Sequence, residues 1–327
     1  MKKLFFWFRI LLSVSLMALL IYSVDSIGVT DISYGNQLWF ILPAFCLGVG
    51  DRILMAYKWN ILLKVKNIYI SLKELTVTYL IAMFFGLFLP ATVGADAVRA
   101  YAVAKGGHKT SDVISSIVVE RVLGLAALLF FAMASIALCI IVFEETFAVT
   151  VWPLLWTVIV ILAVFLILVP LSVNRSVFLY LSRPFKIISK YRAVQTLKEK
   201  IGTVYHSYIE YRKHLKEVSV FFLLSLLENM FPILWSYCLA LALGIEISFL
   251  YFFMFIPLVL ILRRIPVSID GIGVHQGAFV YFLSFVGIPN SQSLLLGIVT
   301  HLLTIIVILP GGLFYAYGGL RGRIERV

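Results

Sequence analysis

Long apolar runs separated by short polar stretches follow one another along the whole chain of 327 residues. A run of about 20 apolar residues is long enough to cross the hydrocarbon core of a bilayer as a helix. The pattern predicts an all-α polytopic integral membrane protein with about eight transmembrane helices, forming a single transmembrane domain over 1–327. Two Pro/Gly-broken segments, predicted to be re-entrant, come in addition. The uninterrupted runs cover residues 4–24, 38–57, 113–143, 151–173, 218–243 and 294–317.

The clearest break in the apolar pattern lies at 249–288. Its apolar parts, 249–262 and 278–285, are each shorter than a normal span. Proline removes a backbone donor, glycine loosens a helix, and lipid offers no partner to the freed polar groups. We therefore expect a broken or re-entrant helix that is buried in protein or lines a wet cavity; a cytoplasmic loop between two ordinary helices is the alternative. The residues between the apolar parts include Arg263, Arg264, Pro266, Asp270, Gly271, Gly273 and His275.

A similar interruption lies at 75–104. The apolar residues end at Pro90, small residues follow, and Asp96 and Arg99 come next. Basic residues flank the segment on both sides, so we expect it to enter and leave the membrane by the same face, as a hairpin of two half-helices. Both interruptions combine proline, small residues, an acid and arginine, which suggests an internal repeat with a transporter site between its halves. The predicted backbone hinges are Pro90, Gly94, Pro266, Gly271 and Gly273.

The composition excludes a soluble globular domain, because 62% of the residues are hydrophobic and the mean hydropathy is +1.05. The formal net charge is +11, which in a membrane protein reports topology, since Lys and Arg concentrate in cytoplasmic loops. The segment 174–217 alone carries ten Lys and Arg against three Glu. We predict a basic cytoplasmic loop there, with part of it on the anionic leaflet or in a plain linker helix. The protein is then a multi-pass protein of the inner (cytoplasmic) membrane with both termini in the cytoplasm, and nucleic acid is not an expected partner.

The three cysteines lie inside apolar runs and far apart in the sequence, at Cys46, Cys139 and Cys238. Such spacing indicates neither a disulfide framework nor a metal cluster. We expect no metal and no cofactor.

Three motifs follow one another along the chain: Asp96 and Arg99 after Pro90, then Glu120-Arg121, then Ile265-Pro266-Val267-Ser268 running into Gly271-Ile272-Gly273-Val274. In this order, and over nearly the whole chain, the sequence resembles the flippase-like transmembrane family, also called the lysylphosphatidylglycerol synthase transmembrane region. It departs from the family pattern at His275 and Gln276, where a basic residue and Glu are usual, and at Ala95, where a second Gly is common.

The resemblance implies a protein that moves a lipid or lipid-linked headgroup across the bilayer. In the best-known members of the family, a fused soluble transferase domain makes aminoacylated phosphatidylglycerol and the membrane region flips it. These residues contain no such domain, so we expect the chain to work on the product of another enzyme or on a different lipid.

The charged residues of the motifs are the candidate substrate-binding residues. Arginine forks suit phosphate, and half-helix N-termini add backbone donors. The arginines would hold a headgroup phosphate in an intramembrane cavity, and the acids would orient them or meet a cationic headgroup. In the alternative, acids and arginines only neutralise one another between helices. The candidates are Asp96, Arg99, Glu120, Arg121, Arg263, Arg264, Asp270, His275 and Gln276.

Two histidines lie in or near the apolar runs. His275 is a candidate for gating by protonation, because the reference pKa of histidine is about 6.5. A hydrogen-bonded structural role is the alternative for His275, and a structural role is expected for His301.

The sequence thus favours a lipid flippase or transporter that moves a phospholipid or a polyprenyl-phosphate type of lipid across the cytoplasmic membrane. A non-catalytic membrane partner or regulator of a lipid or glycan synthase, tethered through 174–217, is the alternative, and a separate synthase is then a partner. An integral membrane glycosyl or lipid transferase fits less well, because no paired-acid metal motif is present and Asp25 and Asp31 are the only early outer acids. We therefore do not expect an enzyme.

Overall fold

The computed structural model describes residues 15, 18, 20, 22, 37–88, 91–142, 156–164, 167, 171, 192–264, 268 and 270–318. Regular structure in these residues is helical, and no strand occurs among them. Short 3-10 turns precede the first helix at Leu38–Phe40 and follow the fifth at Tyr211–Lys213. The helices are α1 (Ile41–Val65), α2 (Leu72–Gly86), α3 (Ala91–Lys105), α4 (Thr110–Val142), α5 (Arg192–Glu210), α6 (Leu215–Ala242), α7 (Phe249–Arg263), α8 (Val274–Ser284), α9 (Asn290–Ile308) and α10 (Pro310–Gly318).

Several of these helices are long and apolar enough to cross a membrane, which makes this a multi-pass membrane protein. Within the described residues the candidate spans are Leu38–Val65, Thr110–Val142, Leu215–Ala242 and Asn290–Tyr317, with 28 to 33 residues each. The predicted spans at 4–24 and 151–173 lie wholly or largely outside the described residues.

Both predicted interruptions fall between short helices. Helices α2, α3 and α7 have 15 residues each, and α8 has 11. At about 1.5 Å per residue, a helix of this length is shorter than the hydrocarbon core of a bilayer. The chain is therefore divided at the two places that the apolar pattern indicated.

One predicted boundary was wrong. The second apolar run was expected to end at residue 57, but α1 continues to Val65. Lys58 is buried, its ammonium donates a hydrogen bond to the Ser225 hydroxyl at 2.9 Å, and it lies 4.7 Å from the centre of the Phe221 ring. These partners lie more than 160 residues away in the sequence, so the local pattern did not reveal them.

The chain forms two compact units. The first contains Met1–Ala56, Lys73–Arg99 and Leu227–Val327, and the second contains Tyr57–Leu72 and Ala100–Leu226.

In the first unit, small residues let helices approach closely. A Cβ atom at Gly297 of α9 would lie 3.1 Å from the Cα of Gln276 of α8. A Cβ atom at Gly311 of α10 would overlap the backbone carbonyl of Leu80 in α2. These contacts fix α8 against α9 and α10 against α2.

In the second unit, the end of α5 is part of the core rather than a free loop. Leu62, Val119, Tyr211 and Phe221 pack together. The Tyr211 hydroxyl donates to the backbone carbonyl of Leu62 at 2.9 Å, and burial raises the pKa of this phenol, so it stays a donor. The segment predicted as the basic loop 174–217 therefore includes residues that the packing of this unit requires.

Polar contacts also fix α5 to its neighbours. The Ser207 hydroxyl donates to the Asp112 carboxylate at 2.7 Å and lies 2.7 Å from the Ser115 hydroxyl. The Lys66 ammonium donates to Glu210 at 2.6 Å and to the backbone carbonyl of Ser207. The buried Ser115 and Ser207 hydroxyls therefore have hydrogen-bond partners, as buried polar groups generally do.

Candidate functional site

The break between α7 and α8 turns the chain back on itself through a left-handed backbone. The φ angles are 48° at Asp270, 76° at Gly271 and 84° at Gly273. Glycine adopts this region without a Cβ penalty, and aspartate is among the few other residues that do so with some frequency. Gly271 and Gly273 therefore permit the turn at this break.

This turn places the Asp270 carboxylate against the end of α7. Arg263 Nη2 donates to Asp270 Oδ1 at 3.2 Å and to Oδ2 at 3.1 Å. Arg263 Nε donates to the backbone carbonyl of Asp270 at 3.2 Å. The two side chains are 20% and 34% exposed, so both are partly accessible.

His301, on α9, adds a second positively chargeable group to the same carboxylate. Its Nε2 atom lies 3.2 Å from Asp270 Oδ2, within ion-pair distance although not aligned for a hydrogen bond. Its ring centre lies 5.6 Å from that of His275 on α8. A continuous polar group thus runs from Arg263 through Asp270 and His301 to His275.

Thr300 ends this group and is a hydrogen-bond partner of His275. The Thr300 hydroxyl donates to the backbone carbonyl of Gly297 at 3.1 Å and lies 3.2 Å from His275 Nε2. A hydroxyl has a single hydrogen, so when Thr300 donates to Gly297 it accepts from His275 Nε2–H. In this arrangement the neutral ring of His275 carries its hydrogen on Nε2, and Nδ1 keeps its lone pair.

Gln276 stabilises the turn from within. Its Oε1 atom accepts a hydrogen bond from the backbone N–H of Gly273 at 2.8 Å, at the start of α8. The side chain is 2% exposed. This arrangement satisfies a backbone donor that the helix start would otherwise leave without a partner.

A second charged pair follows the other interruption. Arg99 Nη2 and Nε both donate to Asp96 Oδ1, at 2.8 and 3.2 Å, and the guanidinium lies 4.8 Å from the centre of the Tyr79 ring. Arg99 is 1% exposed. A buried guanidinium needs such partners, because leaving its charge uncompensated costs several kcal/mol.

The other predicted site residues are placed as follows. Glu120 is buried and Arg121 is exposed on α4, in the second unit, and Arg264 is exposed at the end of α7. Gly94 lies inside α3, so the first break falls before Ala91 rather than at this glycine. The predicted hinges Pro90 and Pro266 lie outside the described residues. Each interrupted segment thus has its own acid–arginine pair: Asp96 with Arg99 in the first, and Asp270 with Arg263 in the second.

Sequence reasoning missed the place of His301 beside Asp270. It assigned His301 a structural role, because nothing near it in the last apolar run indicated a charged partner. The signal that was present is general: an ionisable residue within an apolar span marks a functional site by default. Its partner became clear only from the packing of α8 against α9.

The family model for the lysylphosphatidylglycerol synthase TM region matches residues 6–312. The chain belongs to this family. The match includes both interrupted segments and confirms the resemblance that the motifs indicated. The chain gives no significant match to a curated protein or to a solved structure.

Proposed function

We propose that this member of the lysylphosphatidylglycerol synthase TM family moves a phosphate-bearing lipid between the leaflets of the cytoplasmic membrane. The substrate is a phospholipid or a lipid-linked, polyprenyl-phosphate type of molecule. The observation that supports this most strongly is the cluster of Arg263, Asp270 and His301 at the break between two short apolar helices. Charged groups at such a place are costly to keep, and they generally mark the path of a polar substrate.

Arg263 has the chemistry that a phosphate requires. Its Nε and Nη2 atoms are used by Asp270, whereas Nη1 donates to none of the residues that the structure describes. A guanidinium edge binds phosphate through parallel hydrogen bonds, and these are stronger than neutral ones. A headgroup phosphate can therefore join the Asp270–Arg263 pair or displace its carboxylate.

Re-entrant short helices give the headgroup a route. A polar break at membrane depth shelters the phosphate, while the acyl chains remain in lipid beside the short helices. The Arg99–Asp96 pair, in which Arg99 is buried, provides a second charged position after the other break. In this function, the two interrupted segments form the two sides of the pathway.

Transport by purified protein in vesicles tests the proposal. NBD-labelled phosphatidylglycerol is placed in both leaflets, and the membrane-impermeant reductant dithionite reports how fast inner-leaflet label reaches the outside. Arg263→Gln removes the phosphate donor and should slow transport by about tenfold or more, since one such contact is equivalent to roughly 1.4 kcal/mol or more. Arg212→Gln is the matched control, because Arg212 is exposed in the turn after α5. Equal rates for both variants would remove Arg263 from the pathway.

A tethering partner of a lipid or glycan synthase is the second candidate, and the +7 net charge of 174–217 favours it. The test must leave α5 intact, because Ser207 and Tyr211 are buried in the second unit. Changing only Arg175, Arg183, Lys186 and Lys190 to Gln removes four charges outside the described residues. A tether then loses its synthase in co-purification, whereas a transporter keeps its rate in vesicles.

A further inference from the structure

His275 on α8 and His301 on α9 lie next to each other, and the proposed binding of phosphate by Arg263 uses neither ring. Both rings are buried, at 5% exposure for His275 and 4% for His301. The Nδ1 atom of each ring has no hydrogen-bond partner among the described residues. A buried ring nitrogen without a partner is costly, and such a site therefore calls for an explanation.

We propose that His275 and His301 form a proton-binding site that controls how tightly Asp270 holds Arg263. The ligand is a single proton, taken up from water at Nδ1 of His301 with no bond broken in the protein.

The hydrogen-bond network leaves Nδ1 as the atom that accepts the proton. With the Thr300 hydroxyl donating to Gly297, His275 donates through Nε2 to Thr300. His301 Nε2 lies 3.2 Å from Asp270 Oδ2, and although the two are not aligned for a hydrogen bond, the negative carboxylate favours the hydrogen on this nitrogen. Each neutral ring therefore keeps a lone pair on Nδ1.

The site holds one proton rather than two. The ring centres are 5.6 Å apart, and like charges at this distance in a buried site repel each other strongly. The Asp270 carboxylate lies directly beside His301 and stabilises a charge there. We therefore place the imidazolium on His301, with His275 neutral beside it.

Protonation changes how the Asp270 carboxylate is shared. With His301 neutral, both carboxylate oxygens serve Arg263 and the pair has no net charge. With His301 protonated, Asp270 Oδ2 also faces a cation, and Arg263, Asp270 and His301 together have a net charge of +1. The Arg263 guanidinium is then held less tightly and an anionic phosphate is attracted more strongly.

Proton and phosphate therefore favour each other's binding, and the relation is reciprocal. This coupling rests on the proposed transport function, whereas the proton site itself does not.

Other charged groups near α9 largely cancel. On α1, Arg52 Nη2 pairs with Asp51 at 3.1 Å, and Arg52 lines a small gap with Thr304, one turn beyond His301. Arg264 is exposed at the end of α7. Among the residues that the structure describes, the charged side chains next to the histidine pair are therefore Arg263 and Asp270.

Nitrogen-15 NMR of the histidine rings tests the proton site without any transport. The chain has five histidines, and ring ¹⁵N shifts distinguish neutral rings from imidazolium. The labelled protein is placed in bilayers of phosphatidylethanolamine and phosphatidylglycerol, and His275→Gln and His301→Gln assign the two signals. His206→Gln is the matched control for a histidine outside the pair.

As the pH of the sample is scanned from about 8 to 5, we expect the His301 signal to change from neutral to imidazolium while the His275 ring stays neutral. In Asp270→Asn both rings should stay neutral over this range, because the carboxylate that stabilises the charge is gone. Rings that stay neutral throughout in the unmodified protein would overturn the proton site. A transition that is unchanged in Asp270→Asn would overturn it as well.

Transport with and without a pH gradient separates this inference from the proposed function. The rate for NBD-labelled phosphatidylglycerol should change severalfold with the gradient in the unmodified protein and lose that dependence in His301→Gln. If the unmodified protein does not transport at all, the proposed function fails while the NMR result stands. If His301→Gln transports and keeps the full pH response, the coupling fails while the proposed function stands.

Discussion

At the scale of single residues, Arg263 both ends α7 and closes the turn that leads to Asp270. The left-handed backbone at Asp270 costs about 1 kcal/mol relative to a right-handed one. The hydrogen bonds from Arg263 to the side chain and backbone of Asp270 offset that cost. The charged pair is thus part of the fold of the break as well as a candidate for substrate binding.

Gly271→Ala should disturb this turn specifically. Gly271 and Gly287 have the same φ angle of 76°, so alanine is equally strained at both. Only at Gly271 would the added Cβ meet a neighbour, the Cγ atom of Arg263 at 2.5 Å, whereas at Gly287 nothing lies within 4 Å. We expect Gly271→Ala to lower the free energy of unfolding by roughly 1–3 kcal/mol more than Gly287→Ala. Equal melting temperatures for the two variants in detergent would contradict the contact.

Glu210 gives a prediction about pH outside the membrane spans. The hydrogen bond from Lys66 lowers the pKa of Glu210 below its usual value of 4.5. A lowered pKa in the folded state stabilises the protein above the unfolded-state pKa, and this contribution is lost as the pH falls through the folded-state value. Because the Glu210 side chain is 62% exposed, solvent screening limits the contribution to about 0.2–1 kcal/mol.

We therefore expect Glu210→Gln to lower the melting temperature slightly near neutral pH, and the difference from the unmodified protein to disappear below the pKa of the folded state. Glu199→Gln serves as the control, because Glu199 is an exposed acid on the same helix. A loss that grows as the solution becomes more acidic would have the wrong sign.

At the scale of elements, the apolar pattern correctly predicted the helices whose ends depend on the neighbouring sequence alone. A span predicted at 113–143 is α4, Thr110–Val142, and the apolar part predicted at 249–262 is α7, Phe249–Arg263. α1 continued beyond its prediction because Lys58 has a partner on α6, and α5 joined the core through Ser207 and Tyr211. Contacts between distant parts of the chain decide both cases, and no local pattern contains them.

In the candidate site, too, contacts between residues close in sequence could be predicted and contacts between distant residues could not. The Arg263–Asp270 and Asp96–Arg99 pairs lie within seven and three residues along the chain, so the sequence indicated them. The contact of His301 with Asp270 depends on how closely α8 approaches α9 at Gly297. That approach is a property of the packed helices, and the sequence alone did not predict it.

Replacing glycine by alanine should change stability in opposite directions at an open position in α4 and at the contact of α10 with α2. Gly124→Ala, in α4, meets open space and should raise stability by up to about 1 kcal/mol, because alanine favours a helix over glycine. Gly311→Ala should lower stability, because the added Cβ overlaps the carbonyl of Leu80 and α10 must move away from α2. The melting temperatures of both variants in detergent decide the matter, and a rise for Gly311→Ala would contradict the close approach.

At the scale of the whole molecule, the charge distribution predicts which parts face the cytoplasm. In a background without the native cysteines, Ser26→Cys and Ser176→Cys place single thiols in the first predicted outer loop and in the basic segment. A membrane-impermeant maleimide should label Cys at 26 in intact cells and Cys at 176 only after permeabilisation. The reverse result would invert the orientation of the whole protein.

At this scale, the proposed transport requires that a lipid headgroup reach Arg263 at the break between α7 and α8. The family membership, the multi-pass helices and the Arg263–Asp270–His301 cluster are consistent with that function. Transport rates show only whether lipid crosses the bilayer, whereas the position of the lipid phosphate shows whether it binds Arg263. The position therefore tests the proposed binding at Arg263 more directly.

The measurement is the distance between the arginine side-chain nitrogens and the lipid phosphorus, by ¹⁵N–³¹P solid-state NMR in phosphatidylglycerol vesicles. Arginine-labelled protein is compared with Arg263→Gln, so that the difference isolates Arg263. A directly hydrogen-bonded phosphate should give a contact of about 4 Å that is absent from the variant. Identical ¹⁵N–³¹P contacts in both proteins would show that no lipid phosphate reaches Arg263, and would contradict a headgroup pathway through the break between α7 and α8.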